Sequence, residues 1–121
     1  MDIYSETILD HYQNPHHAGA LSDPTNSTTE YNPLCGDTIK IDLKIINNTI
    51  TQIGFVGNGC AISQAAMSML ADQIEGKKIS SVKKIKPKTI YDLLGVTISP
   101  VRTKCALLGL SALQKLINKH E

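Results

Sequence analysis

Three cysteines, Cys35, Cys60 and Cys105, pose the chemical question in this sequence. Cys35 is followed by Gly36-Asp37, Cys60 closes a Gly57-Asn58-Gly59 break, and Cys105 lies just inside a helix opened by Ser99-Pro100. Two of the three therefore sit near predicted helix N-termini, where the dipole and free backbone N–H groups stabilise a thiolate. Thiolate is the form that binds metal or attacks sulfur. The separations of 25 and 45 residues are unlike the C-x-x-C knuckles of zinc ribbons. An odd number of cysteines this far apart is also the wrong pattern for a disulfide framework. Spacing alone leaves two readings open: three scattered buried thiols, or one metal or reactive-thiol site. Each cysteine lies beside a turn or helix start, which favours the site. His11 falls in the opening helix, and His16-His17 follow its end, where the pair reads as exposed.

The elements that must position these thiols are legible in outline. Asp2 to Gln13 carries Ile3, Thr7, Ile8 and His11-Tyr12 at helical spacing, and Asn14-Pro15 ends the run. Gly19 to Pro33 reads as a loop, with room for a short strand at Thr28 to Tyr31. Ile39 to Ile45 alternates with period two, Asn47-Asn48 makes a turn, and Thr49 to Val56 returns, predicting a hairpin with one polar face. A helix is expected from about Cys60 to Ile74, buried along Ile62, Ala66, Met69, Leu70 and Ile74 and stopped by Gly76. After a lysine-rich stretch, Pro87 opens a short helix through Leu94. A last helix follows with Ala106, Leu110, Leu113 and Ile117 on one side. The expectation is an α+β fold, a small antiparallel sheet covered by helices on one face, in one domain over residues 1–121.

Composition narrows the function classes. Twelve basic against eleven acidic residues give a formal charge of +1, and with no Trp and one Phe the chain is a poor nucleic-acid binder. The charge is polarised: residues 1–60 carry seven acids and two bases, and residues 61–121 four acids and ten bases. Six lysines fall between Lys77 and Lys88, a solvated face by default and otherwise a docking surface for an acidic partner. No apolar run approaches the roughly 20 residues that span a bilayer, and the acidic opening Met1 to Glu6 is unlike a signal or transit peptide. A cytoplasmic protein with reduced thiols, off the membrane, is expected.

Several local segments, taken together, are specific. Tyr4-Ser5-Glu6 through His11-Tyr12-Gln13-Asn14-Pro15 resembles the opening helix of the IscU/NifU/SufU family of iron–sulfur cluster scaffold proteins. Asn32-Pro33-Leu34-Cys35-Gly36-Asp37 is similar to that family's Cys-Gly-Asp turn, and Gly57-Asn58-Gly59-Cys60-Ala61-Ile62-Ser63 to its second-cysteine loop. Glu75-Gly76-Lys77 matches the end of that helix, and Pro100-Val101-Arg102-Thr103-Lys104-Cys105-Ala106 the third-cysteine segment. The resemblance implies a three-stranded sheet and a ligand set of Cys35, Asp37, Cys60 and Cys105. These would hold a [2Fe–2S] cluster, with Zn²⁺ as an alternative occupant. Three thiolates and one carboxylate suit either guest. The harder carboxylate would let go first, which a carrier that must release its cargo requires.

The same resemblance implies partners and roles. A PLP-dependent cysteine desulfurase would deliver sulfur, with Cys105 the favoured persulfide acceptor because Lys104 and the helix start favour its thiolate, although any of the three cysteines could accept it. Apo iron–sulfur proteins would receive the cluster, and a homodimer during assembly is compatible with this. The role is binding and transfer rather than turnover of a small substrate. Lys104 stands where the IscU branch has His and the SufU branch has Lys. SufU proteins, however, carry an insertion between the second and third cysteines for which the span here looks too short. The alternative function is therefore a SufU-type zinc-dependent sulfurtransferase. Ile98-Ser99-Pro100-Val101-Arg102 matches only in part the Leu-Pro-Pro-Val-Lys segment that IscU proteins present to an Hsp70-type chaperone, the weakest of the implied partners.

Overall fold

The computed structural model describes residues 3–33 and 36–120. Its sheet is a three-stranded antiparallel meander in the order β1-β2-β3, formed by Asn26–Asn32, Asp37–Ile46 and Thr49–Asn58. The β2–β3 turn follows from local chemistry. Asn47 and Asn48 take φ of 53° and 61°, the paired left-handed residues that a two-residue hairpin needs and that asparagine tolerates. Thr49 pairs with Ile46 directly across this turn. Ile39, Ile41, Leu43 and Ile45 then project to the covered face, where they are almost wholly buried.

The expected polar face of the hairpin is exposed at Lys40, Thr51 and Gln52 but covered at Asp42. Asp42 is only 3% exposed. It accepts from the Ser27 hydroxyl at 2.6 Å and the Leu21 backbone N–H at 3.1 Å. The chain before β1 crosses here: Gly19 N–H and Phe55 C=O bond at 2.8 Å along the β3 edge, and Leu21 lies against Gly54. A buried carboxylate needs such donors, which explains an acid in the middle of an otherwise apolar strand.

Helices cover the other face. α1 (Ile3–Gln13) packs on α2 (Ala61–Ile74), and α2 packs on α5 (Thr103–His120). α5 lies across β1 and β2. Between α2 and α5, α3 (Ile79–Val82) and α4 (Pro87–Leu94) complete the order. The stripe expected on α2 is buried at Ala66, Met69, Leu70 and Ile74, but Ser63, Ala65, Met67, Ser68 and Ala71 are buried too. The helix is enclosed by α1, α4, α5 and β3, so periodicity underestimates its core. Other differences are of extent. β1 runs three residues wider in all than Thr28 to Tyr31, and the lysine-rich stretch contains α3, anchored by buried Ile79 and Val82. Ser99-Pro100 opens a 3-10 turn over Pro100–Arg102 before α5 begins at Thr103. No described helix is long and apolar enough to cross a membrane.

The loop after α1 returns to α2. Ser68 Oγ lies 2.7 Å from His11 Nδ1 and accepts the His16 N–H at 2.8 Å. Burial, with the nearby His16 as a smaller cause, pushes the His11 imidazole below its ordinary 6.5. His16-His17, read from sequence as exposed, are half-buried at His17 and both engage Asp72.

Candidate metal centre

Asp37, Cys60 and Cys105 converge at the end of the sheet nearest the β1–β2 turn. One ligand atom from each lies within 4.8 Å of the others. Asp37 and Cys105 are buried and Cys60 is half-buried. Three separate local devices bring them there.

Asp37 is the first residue of β2, paired with Asn32 across the β1–β2 connection. Gly36 precedes it with φ +75° and donates its N–H to Asn32 C=O at 2.8 Å, a turn that only a residue without Cβ makes cheaply. Cys35 lies outside the described residues.

Cys60 is the N-cap of α2, at φ −75° and ψ 166°. Its backbone N–H donates to Asp37 Oδ1 at 3.3 Å, so a carboxylate sits at the positive end of a 14-residue helix. The thiol faces Ser63 Oγ at 3.8 Å, while the Ser63 hydroxyl donates to Cys60 C=O at 3.0 Å. The approach of β3 to Asp37 depends on Gly59. A Cβ there would stand 2.5 Å from both Cγ and Oδ1 of Asp37. Gly59 is thus a steric requirement of the site as well as part of the strand stop.

Cys105 enters from the first turn of α5, which crosses the sheet to reach the same corner. The three side chains, with Gly36, Asn58, Gly59 and Arg102, line a cleft of about 540 Å³. Among the described residues, Arg102 is the cation lining this cleft. Lys104 instead lines an adjacent cleft of about 410 Å³ with Glu30, Tyr31, Asn32, Pro33 and Leu107. Consecutive helical residues diverge by about 100°, whereas residues three apart share a face. Arg102, three before Cys105, therefore faces the thiol's side. The spacing i, i+3 was the available signal, and sequence adjacency pointed to Lys104 instead.

As a donor set, two sulfurs and a carboxylate oxygen within this distance suit Zn²⁺ or an iron–sulfur guest and are too soft for Mg²⁺ or Ca²⁺.

A family model described as NifU-like N-terminal domain matches residues 3–121. The zinc-dependent sulfurtransferase SufU of Bacillus subtilis is 36% identical over 136 aligned positions, covering 98% of this chain and 92% of that protein. Since this chain has 121 residues, at least 15 of those 136 positions have no counterpart here. The iron–sulfur cluster assembly scaffold protein IscU 1 of Archaeoglobus fulgidus is 34% identical over 115 residues, covering 95% of this chain and 74% of that one. A crystal structure from Fervidobacterium islandicum, described as an iron–sulfur cluster assembly scaffold for the SUF system, superposes with a TM-score of 0.80 at 26% identity. It covers 95% of this chain and 96% of its own. The N-terminal part of a NifU-like protein from Brucella abortus shares the fold, with a TM-score of 0.80 at 22% identity and coverage of 97% and 93%.

Proposed function

This chain belongs to the NifU-like N-terminal domain family of iron–sulfur cluster assembly scaffolds, and from that premise we propose a scaffold cycle. Sulfur arrives from a PLP-dependent cysteine desulfurase as a persulfide on Cys105. With ferrous iron and an external reductant supplying the two electrons that turn each persulfide sulfur into sulfide, a [2Fe–2S] cluster is built on Cys35, Asp37, Cys60 and Cys105 and then passed to apo-proteins. The cluster is cargo, and the chain acts as a carrier rather than a catalyst of small-molecule turnover.

The observation that carries this reading is the meeting of Asp37, Cys60 and Cys105 within 4.8 Å, from residues 68 apart in sequence. Gly36, bonded to Cys35 in the chain, lines the same cleft, which supports Cys35 as the remaining ligand. Arg102 offsets charge: three thiolates and a carboxylate bring four negative charges, and a guanidinium at the cleft wall opposes their accumulation. Asp37 supplies the weak point needed for release, and its hydrogen bond to Cys60 N–H gives the carboxylate a partner to fall back on.

A second reading is favoured by the relative named as a zinc-dependent sulfurtransferase and by Lys104: Zn²⁺ holds the same residues, and the chain accepts sulfur from the desulfurase. The 15 or more positions without a counterpart weigh against the full SufU apparatus. Anaerobic reconstitution with iron and sulfide separates the two. A visible cluster that transfers to an apo-protein supports the scaffold. No cluster, with desulfurase turnover accelerated by the Zn²⁺-loaded chain, supports the sulfurtransferase.

A further inference from the structure

At the far end of α2 from Cys60, metal-binding side chains from three segments gather around one point. One ligand atom each from His11, His16 and Asp72 lies within 4.8 Å of the others. His11 comes from α1, His16 from the loop after it, and Asp72 from α2. The rings of His11 and His16 have centroids 4.4 Å apart. His16 Nδ1 lies 2.5 Å from Asp72 Oδ2, and His17 joins from the same loop, its Nε2 at 3.0 Å from Asp72 Oδ1. The other nitrogen of His17 lies 3.4 Å from Glu75 Oε2. Asp72 is eleven residues beyond the first residue of α2, roughly 17 Å along the helix axis, so this cluster shares no atom with the cysteine cleft.

We propose that His11, His16 and Asp72 form a second metal site, for a first-row divalent ion such as Zn²⁺, that pins α1 to α2. The donor set is two imidazoles and a carboxylate, which suits Zn²⁺, Co²⁺ or Ni²⁺ and not the oxygen-seeking Mg²⁺ or Ca²⁺. Ligand atoms around a tetrahedral Zn²⁺ stand about 3.3 Å apart, given bonds of about 2.0–2.1 Å. The observed spacings straddle this value, so side-chain rotation suffices to seat an ion. Ser68 already orients the His11 ring and the His16 backbone, the kind of outer support that fixed metal ligands use. His17 stands beside the set, with Nε2 on Asp72 and its other nitrogen near Glu75. On entry the ion takes the lone pair of His16 Nδ1, the ring keeping its proton on Nε2, and no electron is transferred.

The site is independent of what the thiols hold, and its test is independent as well. The full chain is titrated with Zn²⁺ beyond one equivalent while imidazole ¹⁵N resonances are followed. His11 and His16 are expected to shift together and saturate, with Mg²⁺ at the same concentration leaving them unmoved. His16→Ala and Asp72→Asn, both at partly exposed positions, should each weaken this event more than about tenfold. Resonances that stay still, an equal response to Mg²⁺, or binding that persists unchanged in both variants would each overturn the site.

Discussion

Gly59→Ala isolates the contact that joins β3 to the metal centre. The alanine Cβ would stand 2.5 Å from Asp37 Cγ and Oδ1 and 2.9 Å from its Cβ, where ordinary contacts begin at 3.4 Å. Asp37 must therefore retreat by about 0.9 Å, the difference between those two distances. Its bond to Cys60 N–H is already 3.3 Å long and would not survive such a shift. Overpacking of this kind costs about 1–3 kcal/mol, and losing a hydrogen bond to a charged group about 1.5–3. Gly59 has no positive φ, so the swap also returns about 0.4–1 kcal/mol by restricting the unfolded chain. The net expectation is a loss of about 1.5–5.5 kcal/mol in urea-induced unfolding of metal-free protein. The same substitution in an Asp37→Ala background should cost clearly less, because the two atoms at 2.5 Å are gone and only the 2.9 Å contact with the retained Cβ remains. A double-mutant cycle measures the difference directly. Equal costs in both backgrounds would show that Gly59 is not selected by the approach of Asp37, and the account of Gly59 would fall.

Asp37→Ala in the proposed scaffold should still assemble a cluster but release it more slowly to an apo-acceptor, followed by absorbance during transfer. Faster transfer would remove the labile-ligand argument. His11, whose folded imidazole titrates below 6.5 because it is buried, is neutral and costs nothing well above that pH. As pH falls through 6.5 the unfolded chain takes up this proton before the folded one does, so stability drops until the folded imidazole also protonates. His11→Gln should lose this part of the acid destabilisation in urea melts with a chelator present. An unchanged pH profile would contradict the burial. At Gly109 a new Cβ meets the Met67 Sδ at 2.6 Å, but the struck atom belongs to a flexible side chain. A gain in helix propensity of about 1 kcal/mol offsets the repacking, so Gly109→Ala should change stability by less than about 1 kcal/mol, in contrast to Gly59→Ala.

What the sequence determines here is what neighbouring residues decide among themselves. Alternating Ile39 to Ile45 with Asn47-Asn48 gives the hairpin, and Pro87 with Gly95 bounds α4. The Gly-rich break before Cys60 and the turn before Asp37 place each chemical residue at the end of an element. Those patterns, in order along the chain, also carry the family resemblance. Tertiary packing decides which of them meet. Cys105 reaches Asp37 because α5 crosses the sheet, and Arg102 rather than Lys104 shares its cleft because helical facing is set at spacing three, not one. Asp42 is buried because a distant loop crosses over it, and His11 and His16 find Asp72 across more than fifty residues because α1 docks on α2. Local propensities act over a few residues, whereas these meetings depend on how long apolar faces stack. That stacking is a property of the whole core, which no single segment encodes.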